Sequence, residues 1–393
     1  MVSATTSSSL PRVPVISDEI AKKNNIHFAV DNRFRRAARY LQCLWLRDRG
    51  IPTGHHTRGE GDDAVTMELH SSLSRDAARA GLNFMSPEIH AFVRRELVMC
   101  ELGAAYDQER LFGNALSSQP MSMNLFAPMA LDTNLATAVF KRLLPEFVHE
   151  VTGFKFEHSP SRERRKGEWL EDGTAFDLAV NVTTPDGDEG TIFIETKYSE
   201  DLSGPAARLR DRYDDVSRAS GLFIDPESPM LRTLALEQLW REHMLSQLIV
   251  DQGLTSRAVF IAIGPRLNHR VMSAFRAYEN ELIANDNLDA NRVPFQAFTL
   301  ETVIDTLGDA GAADLTQQLW ARYCDFERVY HVALHEFIDI PASPSQPVIT
   351  SKRPVSLDIS SSSRGNINSD APLSSRSKKR NVPRSRAKSR VTA

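Results

Sequence analysis

Cysteine is scarce in this chain. Cys43, Cys100 and Cys324 are the only three in 393 residues, an odd number, far apart and without a CxxC pair. That usage argues against disulfide frameworks and zinc ribbons and for a reducing compartment, with the cytoplasm as the default location. No uninterrupted apolar run approaches the roughly 20 residues of a membrane helix, so no membrane partner is expected. The opening MVSATTSSSLPRVPV has no apolar h-region. A GxxxxGK[ST] motif is missing, which argues against ATP hydrolysis by a P-loop. GxSxG and Cys–His constellations are missing too, which weakens ester and peptide hydrolase readings. No GxGxxG follows a strand, so the dinucleotide classes drop out.

Acidic residues become scarce near the C-terminus. Beyond Ile340, eleven Lys and Arg positions, among them Lys378, Lys379 and Arg380, face only Asp358 and Asp370. The tail is therefore +9 and the remaining body −13, which the overall charge of −4 conceals. A basic, Ser-rich tail on an acidic body suits nucleic acid held by the tail, and equally an uncommitted disordered terminus.

The apolar and charged fractions, 41% and 25%, are those of an ordinary globular chain with ample sequence for a core. Residues 1–17 are Ser/Thr/Pro-rich and are expected to be disordered. Residues 18–130 read as a helical N-terminal extension. Its helix over Asp31–Arg49 carries Phe34, Ala37, Ala38, Leu41, Leu44 and Trp45 at helical spacing, with Arg33, Arg35, Arg36 and Arg39 beside them. Gly54–Asp63 reads as a loop, Ser86-Pro87-Glu88 as a helix start, and Ser117–Phe126 as a loop without catalytic signature. Residues 131–265 read as the core: a helix capped by Asp132, a first strand over Phe154–Glu157, a helix over Leu231–Val250, and a continuous apolar strand, Ala258–Ile263, buried on both faces. Residues 266–340 form an α/β part packed on that core, with a late strand over Val293–Leu300. Residues 341–393 are a disordered basic tail.

The most informative stretch is Glu171–Lys197, EDGTAFDLAVNVTTPDGDEGTIFIETK. Two alternating runs flank Thr184-Pro185-Asp186-Gly187-Asp188, which supplies the turn chemistry of a hairpin. Folded about Asp186, the hairpin sets Asp177 opposite Glu195; folded about Gly187, it sets Asp177 opposite Lys197. Directly opposed residues have Cβ atoms roughly 4.5–5.5 Å apart. Either register gathers two acids and an amine on one face, with Phe176, Leu178, Val180, Ile192 and Ile194 packed behind. Alternation alone favours a solvated polar face. Two carboxylates at that spacing also repel unless a cation lies between them, and hard oxygen ligands in an incomplete shell suit Mg²⁺.

Asp177 followed after a β-turn by Glu195-Thr196-Lys197 resembles the motif of the PD-(D/E)XK, restriction-endonuclease-like nuclease superfamily. A long helix stands before the hairpin, and helices with a further apolar strand stand after it, as in that family. The proline before the first acid is replaced by Phe176. The resemblance covers about a third of the chain. It implies an α/β fold, a mixed central sheet flanked by helices, with N-terminal and C-terminal helical additions. It also implies a Mg²⁺ (or Mn²⁺) dependent endonuclease acting on DNA. Asp177 and Glu195 would hold the metal with the Thr196 carbonyl, while Lys197 would position or activate water. Glu146 and Glu150 are candidates for an additional acid, and Gln238 for a polar helper. The basic loop with Arg162, Arg164, Arg165 and Lys166 is a candidate for phosphate contact, or is simply solvated. A homodimer would suit cleavage of both strands. The alternative is a nucleic-acid-binding protein that keeps the fold without the chemistry.

Overall fold

A computed structural model describes residues 10–339 other than 59–64, 105, 164–166, 201, 203–207 and 288–290. Its N-terminal lobe opens with α1 (Asp18–Lys23) and α2 (Arg33–Asp48), capped by the side chains of Ser17 and Asn32. Residues ahead of α1 do not behave as the sequence suggested. Val13 and Ile16 are buried in the main core, and Arg33 Nε holds the Val13 carbonyl at 2.8 Å. Two β-branched side chains with a core to enter outweigh the Ser/Pro-rich composition around them. Residues 1–9 lie outside the described part.

The expected loop over Gly54–Asp63 is largely strand: β1 (Thr53–Arg58) pairs antiparallel with β2 (Val65–Leu73). This ribbon is polar and carries Thr57–Thr66 hydroxyls 2.9 Å apart across it, so the apolar alternation that signals a strand is missing. Gly54 is required there, because a Cβ would come within 2.5 Å of the Leu73 carbonyl. Three helices follow, α3 (Arg75–Arg79), α4 (Pro87–Met99) and α5 (Gln108–Gly113).

The second correction is α6 (Ser118–Leu131), which occupies the expected loop over Ser117–Phe126. Residues from Met121 to Ala127 are all buried. A helix buried all round has no polar face and shows no 3.6-residue period. Pro120 stands in the first turn, where no intrahelical N–H is needed.

The core begins with α7 (Thr133–Leu143), capped by the Asp132 carboxylate as the sequence indicated. There follow β3 (Glu150–His158), β4 (Phe176–Thr183), β5 (Glu189–Thr196), α8 (Asp211–Ser220), α9 (Glu237–Asp251), β6 (Arg257–Gly264), α10 (His269–Glu279) and β7 (Phe295–Thr299). The chain closes with α11 (Leu300–Asp309), α12 (Ala313–Tyr323) and α13 (Phe326–Asp339). The five core strands form one mixed sheet of order β3-β4-β5-β6-β7. β3, β4 and β5 are antiparallel neighbours; β5, β6 and β7 are parallel. A boundary at residue 265 would cut this sheet, because β7 is its fifth strand.

Helices cover both faces, and strand parity sorts the side chains between them. Leu178, Val180, Ile192, Ile194, Val259 and Ile261 join a core shared with α2, α4, α6, α7, α11, α12 and α13. Ala179, Phe193, Phe260 and Ala262 join a second core with α8, α9 and α10. Phe176 breaks the alternation. Instead of packing behind with Leu178, it stacks on Phe193, ring centroids 4.3 Å apart, on the α9 side. No described helix is long and apolar enough to cross a membrane.

Candidate active site

The hairpin adopts the register centred on Asp186: Leu178 pairs with Ile194 and Val182 with Gly190. Continued by one residue, that register sets Asp177 beside Glu195. The neighbouring ladder pairs Phe156 with Leu178 and His158 with Phe176, which brings Glu157 opposite Asp177. Glu195 in turn pairs with Ala262 on β6. Three acids on three adjacent strands thus form one row across the sheet, and a small alanine continues it.

Each acid is held differently. Asp177 Oδ2 accepts hydrogen bonds from the Thr196 amide (2.8 Å) and the Thr196 hydroxyl (2.6 Å). Glu195 Oε1 accepts from Lys197 Nζ and from Gln238 Nε2, the latter at 2.8 Å. Gln238 Oε1 accepts from Lys197 Nζ at 2.8 Å, and its Nε2 also donates to Glu242 Oε1 at 2.8 Å. Both amide hydrogens of Gln238 and its carbonyl are therefore engaged, which fixes the orientation of its amide. Gln238 and Glu242 stand one helical turn apart on α9, so both reach the sheet from the same helix face.

The electrostatics is that of a site with more negative charge than it can balance. Burial, then Asp177 and Glu195, push Glu157 up to about 8. Burial, then Asp177, push Glu195 up to about 7, against the pull of Lys197. Burial also raises Asp177, although Lys197 and Thr196 oppose it. Glu242, 1% exposed, is raised well above its ordinary value by burial and by Glu195. Its Oε2 has no hydrogen-bond partner among the described residues. Lys197 is also buried, which would favour its neutral form, but Glu195, Glu242, Glu200 and Asp177 together overcome this and keep it charged.

Glu157 was not foreseen. Glu146 and Glu150, the expected candidates, are exposed, and Glu150 pairs with Thr183 at the turn end of β4. Six residues of strand separate Thr183 from Asp177, about 20 Å at the usual rise. The first strand was legible, but its register was not, because a bulge between Val151 and Gly153 shifts the pairing. Glu157 itself has a positive φ of 50°, a conformation uncommon outside glycine. A latch of hydrogen bonds surrounds it. Glu101 accepts from His158 Nδ1, from the Ser159 amide (3.0 Å) and from Arg162 Nε (3.2 Å), and Arg162 Nη2 donates to the Glu157 carbonyl. These donors outweigh burial and hold Glu101 down at about 2.

Arg162 is accordingly not a free phosphate ligand. Its side chain is 10% exposed and also holds the Gly103 carbonyl at 2.9 Å. The guanidinium joins the end of β3 to the N-terminal lobe. Arg164, Arg165 and Lys166 lie outside the described residues.

Among the described residues, no three His, Cys, Asp or Glu side chains are arranged to hold a metal by themselves. Mg²⁺ seldom asks for such a cage. It keeps several waters and binds through one or two carboxylates together with substrate phosphate. Asp177 Oδ1 and Glu195 Oε2 accept no hydrogen bond among the described residues, and the crowded carboxylates favour a cation. The donor set therefore fits a hard divalent ion.

A family model for the PD-(D/E)XK nuclease superfamily matches residues 29–325 of the chain. Neither the curated proteins nor the solved structures searched contain a match.

Proposed function

The chain belongs to the PD-(D/E)XK nuclease superfamily, and from that premise we propose that it is a divalent-metal-dependent endonuclease that hydrolyses phosphodiester bonds of DNA. The observation that carries the reading is the row of Glu157, Asp177 and Glu195 across three strands, with Lys197 hydrogen-bonded at its end. Asp177, Glu195 and the Thr196 carbonyl would hold Mg²⁺ or Mn²⁺. When bound, that ion polarises the phosphodiester and offsets charge on the five-coordinate phosphorus.

The remaining roles belong to the chain itself. Thr196 fixes the rotamer of Asp177 through both of its donors. Gln238 fixes Glu195 and Lys197 together, so neither can turn away alone. Lys197, held protonated, donates to the attacking water or to a non-bridging oxygen, where preorganised charge is worth most. Glu157, with its raised pKa, is placed to accept the proton that the water loses. Water oxygen bonds to phosphorus as the bond to the 3′ oxygen breaks. That oxygen takes its proton from solvent as it leaves, giving the 5′-phosphate and 3′-hydroxyl ends implied by the resemblance.

Asp177→Asn tests the assignment. Cleavage of plasmid and oligonucleotide DNA in Mg²⁺ should fall to background while the circular dichroism spectrum and melting profile stay native. Metal-dependent cleavage by the purified variant would remove the basis for the assignment.

A further inference from the structure

Lys197 and Gln238 open on a cleft of about 480 Å³ between the core and the N-terminal lobe. From the lobe come Arg35, Arg110, Asn114 and Ser117; from the chain around α9 and the exit of β5 come Leu202, Leu234, Ala235 and Leu239. One source supplies donors and positive charge, the other apolar surface. Lys197 and Glu195 are only 7% and 3% exposed. A rigid duplex, whose backbones lie on its outer surface with the bases stacked inside, cannot press a phosphate down to groups so deeply set without opening the cleft.

Arg35 differs from the other arginines of α2. Arg33 Nε is spent on the Val13 carbonyl, and Arg36 Nη1 on Asp18 at 2.7 Å. Arg39 takes both oxygens of Asp31, at 2.6 and 2.9 Å. Arg35 is left with a 3.4 Å approach to that same, already engaged carboxylate, and its side chain is 32% exposed. Arg110 makes one long contact, 3.4 Å from Ser117 Oγ. Two acids, Glu200 and Glu237, line the cleft against three cations, Arg35, Arg110 and Lys197. Glu237 is paired with Arg241 at 2.9 Å.

We propose that Arg35 and Arg110 clamp the phosphates of an unpaired nucleic-acid strand that enters this cleft, its bases against Leu202 and Leu234 and its backbone towards the lobe. The substrate class is then single-stranded DNA, or the unpaired segment of a flap, bubble or frayed end. A positively charged groove that tracks the backbone is the general device for holding a single strand without reading its sequence, and here leucines stand where aromatic platforms are usual. This inference rests on the nuclease reading of the site and names its substrate.

The test is fluorescence anisotropy with the full chain carrying Asp177→Asn, so that binding is measured without cleavage. The probes are a labelled 12-nucleotide single strand and the blunt duplex of the same length. The single strand should bind at least about tenfold more tightly than the duplex. R35Q/R110Q should weaken single-strand binding about tenfold and make the salt dependence shallower by about 1.4, two contacts at roughly 0.7 each. R35K/R110K, which keeps the charge, should retain most of the affinity, and this separates loss of the clamp from loss of folding. The basic tail is common to every variant and cancels between R35Q/R110Q and its parent on the same probe. Equal or tighter duplex binding, or R35Q/R110Q indistinguishable from its parent, would overturn the proposal. A wild-type chain that binds as described but never cleaves would overturn the nuclease reading and leave the clamp standing.

Discussion

Two buried polar clusters lie on opposite sides of this molecule's sheet, and they are built to different ends. One surrounds Arg322, which is 0% exposed. Its Nη1 and Nη2 donate to the carbonyl and side-chain oxygens of Asn83 at 2.7 and 2.5 Å, and its guanidinium lies 4.0 Å from the Trp45 ring centroid. Gln42, Asn124, Tyr198 and Tyr323 complete the network with bonds of 2.7–2.9 Å. Neutral oxygens and an aromatic face absorb a single charge. The other cluster holds Glu157, Asp177, Glu195 and Glu242 against Lys197, and its carboxylates are pushed up rather than settled. The first cluster ties α2 to α12 and needs nothing more. The second keeps four acids against one amine, the imbalance on which the proposed metal site rests.

The sharpest way to break the comparison is to disable each cluster in turn. Lys197→Met should lower cleavage by about 10²–10³-fold, the usual cost of losing one preorganised donor at developing charge. Its stability should fall as well, because the buried carboxylates lose their cation. Arg322→Met should lose about 3 kcal/mol of stability, because Asn83 and Gln42 are left with buried unpaired groups. Its cleavage per folded molecule should nevertheless remain as in the parent. If Arg322→Met lost cleavage per folded molecule as Lys197→Met does, the distinction between the clusters would collapse.

Gln238→Ala should cost about tenfold in cleavage, the lower range for a residue that orients others. Restoring the amide on a longer or shorter stem should not rescue it, because all three of its bonds are geometric. The pH dependence is subtler. Glu157 and Glu195 have folded-state pKa values of about 8 and about 7, above the ordinary 4.5. Between those limits the folded chain retains protons that the unfolded chain has lost, so stability without metal falls as pH rises from about 4.5 through 8. Glu157→Gln removes part of that slope and should raise the metal-free melting temperature at pH 8.5 while leaving it unchanged at pH 5. Scanning calorimetry in a chelator checks both. A melting temperature that climbs over this range would show that the acids are not crowded as described.

What could be read from the sequence follows the physics of each element. The hairpin was legible because its turn residues and period-two alternation fix faces, and so Asp177, Glu195 and Lys197 fall together. Gln238 came from the resemblance alone, since a glutamine on that helix reads equally as a solvent-facing residue. Glu157 was not legible, since its place depends on a bulge that no local pattern announces. The helix over Ser118–Leu131 was hidden by having no polar side. Arg162 illustrates the opposite error: a basic residue in a loop ahead of the site serves the fold, because Glu101 and two carbonyls claim its donors. Arg35, one of four arginines that composition cannot tell apart, stands out only once the partners of the other three are known.

The acid row has a consequence for how such an enzyme comes into being. Its members come from three strands, and each strand is correct only in one alignment, since a slip by a single residue turns every side chain over. A loosely collapsed form, in which strand alignment is not fixed, cannot present the three carboxylates side by side. On the proposed reading, cleavage would therefore wait until all three strands stand in register, and an incompletely paired sheet would not cut.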